Sequence, residues 1–387
     1  MGNVPNLRFP EFTGEWKEER LDEIATLSKG VGISKEQLSN DGEPCILYGE
    51  LYTKYKSEII KEVDSRTNID NSKLKRSKAN DVIIPCSGET EVDIATARCV
   101  PFDNILLGGD LNIISLYQYD GAFMSYQLNG KRKYDIAKVA QGVSVVHLYG
   151  EHLKAISTYN PCLQEQQKIA KLLSLLDERI ATQNKIIEDL KKLKSAIIDQ
   201  LYSAIKGNEY SYRQIFEIVN ERNKQLEYSN ILSASQEKGM VNREELNLDI
   251  QFERSNINTY KVVRKGDYVI HLRSFQGGYA FSEKTGVCSP AYTILRPNDL
   301  LEFRYLSYYF TSQKFIKSLI IVTYGIRDGR SINVEEWLDM KTIIPPKEQQ
   351  CHIVETIRNI ENKIENEELY ASCLSKQKQY LLRQLFI

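Results

Sequence analysis

The sequence predicts a mixed α/β chain (α+β in strand order) written as globule, helix, globule, helix, with the two long helices paired antiparallel. Three observations predict it. An amphipathic helix recurs: "IAKLLSLLDERI" begins at Ile169 and "IVETIRNIENKI" at Ile353, 184 positions on, with the apolar positions in step. The stretch before each helix repeats a turn-then-strand signature, "LKRSKANDVII" from Leu74 and "YKVVRKGDYVI" from Tyr260. The composition, 42% hydrophobic and 27% charged, is that of an ordinary globular chain.

The first globule is assigned to residues 1–158. "EWKEERLDEI" opens it, and its counterpart "EYSYRQIFEI" opens the second globule, with Trp16 and Tyr210 in equivalent places. Asn80-Asp81 and Gly266-Asp267 are turn dipeptides feeding a β-rich apolar run. The rest of each half reads as short strands broken by Gly, Asn and Asp, with a few helices.

Residues 159–204 form the central helix, 205–343 the second globule, and 344–387 the C-terminal helix. Apolar positions in the central helix fall at Ile169, Leu173, Leu176, Ile180, Leu190, Ile197 and Leu201, and in the last at Ile353, Ile357, Ile360, Ile364, Leu374, Leu381 and Leu385. Spacings of three and four keep such residues on one face, the pattern of a coiled-coil seam. The breaks repeat as well: Gln183 with Glu367, and Lys194 with Lys378. A polar residue in a seam costs stability but fixes register and partner. Helices of about 40 residues are rods of roughly 60 Å. A seam that long is expected to be covered by the other rod, not by a small domain. The lead-ins differ in spelling: Glu165 lies four residues after Pro161, but Glu348 only three after Pro345, which suggests a one-residue slip in the second helix start.

Several functions lack their tools. There is no eighteen-residue apolar run, no basic-then-apolar leader in "MGNVPNLRFP", and Asn6 stands where a myristoylation signal needs Ser or Thr. A cytosolic setting follows. Seven scattered cysteines form no C-x-x-C pair and read as reduced thiols; four histidines show no H-x-x-x-H spacing, so no metal site is expected. Neither a G-x-x-x-x-G-K-[ST] loop nor a G-x-G-x-x-G turn occurs. An amino-methyltransferase needs Asn/Asp-Pro-Pro-aromatic, and "NPCL" at Asn160 is too far from it. Asp81 and Asp267 have no downstream E-x-K of a metal-dependent nuclease, and read as turn residues. No catalytic residue is assigned, and binding is favoured over catalysis.

Net charge is −1, so any nucleic-acid contact must come from local positive charge. Lys73, Lys75, Arg76 and Lys78 cluster, Lys131, Arg132 and Lys133 are consecutive, and "YGIRDGRS" carries Arg327 and Arg330. Such groups suit phosphate contacts, which supply affinity without sequence information. Base reading is assigned to loops mixing Gly with polar and aromatic residues. "HLRSFQGGYA" offers Arg273, Ser274, Gln276 and Tyr279; "IPCSGETEVD" offers Ser87 and Thr90; "YGELYTKYKS" offers Tyr52, Lys54 and Lys56. Arg can grip guanine and Gln adenine through paired bonds. Glu89, Glu91 and Asp93 argue against close phosphate approach in the first half.

These stretches resemble the specificity subunits of type I restriction–modification systems. The likeness lies in "PNLRFPEFTGEWKEERLDEI", in "PCLQEQQKIAKLLSLLDERI" and its second copy "IPPKEQQCHIVETIRNIENKI", and in "KGDYVI" and "RSINVEEW". The resemblance implies two target recognition domains, each reading one half of a bipartite asymmetric DNA site, on two antiparallel helices whose length sets the gap. It also implies two modification subunits clasping the helices, motor-nuclease restriction subunits joining for cleavage, and no cofactor on this chain. S-adenosylmethionine, ATP and Mg would belong to those partners, and the location would be the bacterial cytoplasm, at the nucleoid through DNA. Two other readings stay open: a helical scaffold that does not touch DNA, and a DNA-modifying enzyme with its own active site.

Overall fold

The computed structural model describes residues 2–70, 72–142, 145–235, 238–246, 254–271, 278–319, 323–324 and 331–387. The chain divides into two compact units: Met1–Lys185 with Leu369–Ile387, and Ile186–Glu368. The two long helices run Leu163–Ser203 and Lys347–Gln384. Their first residues are 184 apart, the same offset as the seam. The one-residue slip inferred from the lead-ins is therefore wrong. The physical marker of the helix start is not the glutamate but the second glutamine. Buried Gln166 donates from Nε2 to Pro161 O at 2.8 Å, and buried Gln350 donates to Pro345 O at 2.9 Å. Each glutamine also accepts a domain N–H, Asp120 N at 2.9 Å and Glu302 N at 2.8 Å, so it clamps the helix start to its own domain.

Both units contain one four-stranded antiparallel sheet in the same order. In the first it runs Ala25–Lys29, Leu111–Leu116, Asp81–Pro85, Arg98–Val100; in the second, Phe216–Val219, Thr293–Pro297, Tyr268–Ile270, Tyr279–Phe281. The turn dipeptides are what lead into the third strand of each. Asn80 takes φ 81° and Gly266 φ 99°, the left-handed region that Asn and Gly tolerate best. Asp81 and Asp267 then accept the backbone N–H three residues back, from Lys78 and Arg264, both at 2.8 Å. Alternation along the third strand buries both faces. Val82 and Ile84 join one apolar cluster, and Ile83 joins another with Val100, Leu111 and Ile113. In the second unit Tyr268 and Ile270 join an aromatic cluster, while Val269 faces Val263 and Ile294.

A two-stranded clasp closes each domain and delivers the chain to its helix. Lys17–Arg20 pairs antiparallel with Ser157–Asn160, and Asn208–Ser211 with Lys341–Ile344. The first unit's sheet is accompanied by a further five-stranded sheet, which includes Lys75–Arg76; among the described residues the second unit has two-stranded pairs instead.

The helices run antiparallel. In the first unit Asp177 of the central helix meets Lys378, and Ile169 and Leu173 share a buried cluster with Leu385 and Phe386. In the second unit Lys194 meets Glu361, and Ile198 shares a cluster with Ile353 and Ile357. Of the assigned seam, Ile169, Leu173, Ile353, Ile357, Ile364, Leu374 and Leu385 are buried; Leu176, Ile180, Leu190, Ile197, Leu201, Ile360 and Leu381 are half-buried. One expectation needs correction, because the rods do not cover their seams alone. The start of the central helix packs with Trp16 and Phe123 of the first domain, and Ile353 and Ile357 belong to the second domain's aromatic cluster. Those domain side chains supply apolar area that a two-helix seam lacks.

Candidate nucleic-acid interface

In the first unit the structure joins two loops that the sequence kept apart. The short helix Glu50–Thr53 carries Tyr52, whose hydroxyl donates to Ser87 O at 2.9 Å. Ser87 sits in the strand Ser87–Gly88, which pairs with Val146–His147, and its hydroxyl lies 3.3 Å from His147 Nδ1. Gly88 lets the two segments approach closely: a Cβ there would sit 3.0 Å from Tyr52 Oη and 3.1 Å from Ile94 Cβ, tighter than side chains normally pack. Thr90 caps the following helix, Glu91–Ile94, accepting from Asp93 N at 3.1 Å and donating to its carboxylate at 2.7 Å.

The result is an open cleft of about 660 Å³ whose lining includes Tyr48, Tyr52, Ser87, Glu89, Asp93 and Val145. Tyr48 and Val145 are exposed, so the cleft shows an aromatic and an apolar surface to solvent. Burial, followed by the nearby Asp93 charge, pushes the Tyr52 phenol above its ordinary range and keeps it a neutral donor. Exposed carboxylates beside an aromatic face repel phosphate but accept bonds from exocyclic amino groups of bases. The lining therefore suits amino donors better than phosphate, and its one arginine, Arg98, is turned to the backbone carbonyls of Tyr55, Leu51 and Ala97.

The basic candidates sit apart from that cleft and are partly engaged. Lys54 lies 3.5 Å from Glu50 and 3.4 Å from Asp64; Lys56 donates to Tyr52 O at 3.2 Å. Lys75 and Arg76 form a short strand whose arginine pairs with Glu43 at 2.6 Å. Lys131 and Lys133 flank Arg132, which donates to Ile387 O at 3.1 Å, so this run lies by the chain's C-terminus and does not line the cleft.

In the second unit Arg273, Ser274, Gln276, Arg327 and Arg330 lie outside the described residues. Tyr279 does not display its ring: it packs 4.9 Å from Phe310 and 5.1 Å from Phe315, centroid to centroid, in the aromatic core. Its place at the start of the fourth strand, opposite Ile270, turns it inward, which the loop-like spelling of "QGGYA" concealed. Arg264 pairs with Glu221 at 3.0 Å, and Lys261 donates to Tyr292 O at 2.7 Å. Sequence reading missed His147 and Val145 as cleft neighbours, because strand pairing across 60 residues sets their positions; Tyr48 stood at the start of the quoted "YGELYTKYKS" and was not singled out. Among the described residues no helix is long and apolar enough to cross a membrane, and no group of three or more His, Cys, Asp or Glu could hold a metal ion.

A duplicated sheet, each copy closed by a clasp that launches a long helix, with the two helices antiparallel, defines a two-domain, helix-spaced binding chain. The family model for the type I restriction modification DNA specificity domain matches residues 13–192 and again 207–371. The chain belongs to that family and carries its domain twice. It is 24% identical to the MjaVIII specificity subunit of Methanocaldococcus jannaschii, over 98% of this chain and 93% of that one. In fold it is similar to the type I restriction-modification S subunit from M. genitalium, with TM-score 0.57, 16% identity and 99% of each chain covered. It is also similar to a chain from a structure described as showing complex assembly and conformational transition of the type I R-M system, with TM-score 0.61, 15% identity, and 96% and 97% covered.

Proposed function

We propose that each recognition domain reads one half of an asymmetric, bipartite DNA site, and that the paired helices set the gap between the halves. The observation that carries this reading is the duplication itself. Sheet order, turn geometry and helix clamp are kept twice, while the loops on the two sheets differ in sequence and the flanking sheets in size. Like scaffolds with unlike surfaces suit unlike half-sites. In the first domain, Ser87, Glu89 and Asp93 of the cleft contact base edges, while Lys54, Lys56, Lys75, Arg76, Lys131 and Lys133 contact phosphates, with Tyr52 and Thr90 shaping the cleft. In the second, Arg273, Ser274 and Gln276 read bases, with Arg327 and Arg330 on the backbone.

The outer face of the central helix docks two modification subunits. Leu175, Ile186 and Leu193 are exposed there, and their spacings of eleven and seven residues put them on one face. An exposed apolar stripe on a stiff helix suits partner helices. Restriction subunits join that assembly. This chain supplies no active site; S-adenosylmethionine, ATP and Mg are bound by the partners.

Co-expression with modification partners, followed by mapping of N6-methyladenine, tests the reading and yields the site. A methylated motif of two fixed blocks around an unspecified gap is expected; a continuous motif overturns it. A gel-shift series in rising salt separates DNA contact from pure scaffolding. Affinity should fall steeply with salt, as counterions released from phosphates demand. Salt-independent or absent binding by the assembled complex favours the scaffold.

A further inference from the structure

The least ordinary feature of the helix pair is a buried charge cluster in the first unit. Lys378 of the C-terminal helix reaches Glu58 and Asp177, each at 2.6 Å, with its side chain only 15% exposed. Asp177 also accepts the Tyr126 hydroxyl at 2.7 Å and the Ser57 hydroxyl at 3.1 Å. The ammonium stands 5.6 Å from the centre of the Tyr126 ring. Four chain segments meet at one nitrogen: the 57–58 loop, the helix Gly121–Asn129, the central helix and the C-terminal helix.

The second unit repeats the construction with the helices exchanged. Lys194 of the central helix lies 3.3 Å from Glu361 of the C-terminal helix. Glu361 accepts the Tyr308 hydroxyl at 2.8 Å and is 3.4 Å from Arg304. Lys194 and Lys378 stand at the 184-residue offset of the seam, and so do Asp177 and Glu361. The second tie is wetter, with Lys194 31% and Glu361 27% exposed.

An apolar seam alone defines register poorly, because a slip of one heptad sets isoleucine against leucine again. The polar tie does not tolerate it. Moving Lys378 by seven residues would set it against Ala170 or Asn184 and strand two buried carboxylates. Breaking a buried pair by taking away one partner is far costlier than replacing the whole set with apolar groups. The tie therefore penalises wrong registers more than it stabilises the right one.

We infer that the Lys378–Asp177–Tyr126 and Lys194–Glu361–Tyr308 ties set the register of the helix pair and, through it, the length of gap the protein accepts. The gap clause rests on the ruler reading proposed above. The residues are positioning residues, and none touches DNA.

The test uses the full chain in its assembled methyltransferase complex, with duplexes carrying the mapped half-sites at gaps shortened or lengthened by up to three base pairs. The variant combines Lys378→Met, Glu58→Gln and Asp177→Asn, so no charge is left bare. It should keep its helical circular dichroism and melt no lower than wild type. Affinity for each isolated half-site should not change. Wild-type preference for its own gap, at least about tenfold over its neighbours, should shrink to within about twofold. A variant that keeps wild-type preference overturns the register inference and leaves the ruler standing. A wild type that shows no gap preference overturns both. Should the triple variant fail to fold, Lys194→Met with Glu361→Gln removes the charges of the second tie instead; unaltered gap preference there also overturns the inference.

Discussion

Removing the Phe386 side chain should unfold the first unit early, although Phe386 is the penultimate residue of the chain. Its ring is 1% exposed and lies 5.2 Å from Phe123 and 6.5 Å from Trp16, centroid to centroid. Leu385 beside it is 2% exposed, and both share a cluster with Ile169 and Leu173 at the start of the central helix. Truncating a buried phenylalanine to alanine costs about 3–5 kcal/mol, including the cavity left behind. Its partly buried neighbours Leu381, Leu382 and Ile387 can settle into part of the space, so the lower figure, about 3 kcal/mol, is expected for Phe386→Ala. For a unit of about 200 residues each kcal/mol lowers Tm by about 2–4 °C, which gives a fall of about 6–12 °C. The protein has two tryptophans, Trp16 in the first unit and Trp337 in the second, both buried. A Trp337→Phe background leaves Trp16 as the fluorescent reporter of the first unit, and Trp16→Phe does the reverse. The Trp16 transition should fall by the stated amount and the Trp337 transition by less. A fall below about 2 °C at Trp16 would refute the claim that the C-terminal helix completes the first domain's core. A fall confined to Trp337 would place the chain end on the other domain.

Further expectations follow from the same contacts. Burial, with Asp177 adding to it and Lys378 opposing it, holds the Glu58 carboxyl above its usual range. A raised acid favours folding below its unfolded pKa and loses that contribution as pH rises through its folded value. Glu58→Gln should therefore melt no lower than wild type near about pH 8, with the difference shrinking toward acid; a pH-independent deficit would contradict this. Burial alone would lower the Lys378 ammonium, but Glu58 and Asp177 outweigh it and keep it charged. Gln350→Leu strands Glu302 N–H and the Leu300 and Pro345 carbonyls. At about 1–3 kcal/mol for each buried unmet group, a loss of at least about 2 kcal/mol is expected by urea titration monitored at Trp337; a loss under about 0.5 kcal/mol would show the clamp to be idle. Adding one heptad to both helices, within Leu190–Ile198 and at the facing turns of the C-terminal helix, lengthens the pair by about 10 Å. At 3.4 Å per base pair the preferred gap should grow by about three, with both half-sites intact; a methylation map with the gap unmoved would count against the ruler.

What could be read from the letters was local or periodic. The seam, its polar breaks and the two turn dipeptides each lie within a few residues or recur at a fixed offset. The fold class and the duplication follow from them; the family was reached through the resemblance of the quoted stretches. The same logic explains the misreading of the helix lead-in. Glu165 does bond the chain, taking Arg8 through both carboxylate oxygens at 2.7 Å, but the feature kept at the same offset in both helices is the amide of Gln166 and Gln350.

The tertiary structure decided everything that depends on distant partners. Tyr52 meets Ser87 across 35 residues to build the cleft, and Tyr279 turns into the aromatic core because its strand pairs with Tyr268–Ile270. Lys378 finds Glu58 across 320 residues. The sequence marked that lysine as a flaw in a helix seam but could not say what it answers to. Periodicity is carried by neighbours a turn apart and survives in one dimension. The partner of a buried charge is chosen by which segments the folded sheet and helices bring to the same point, and only the closed chain settles that.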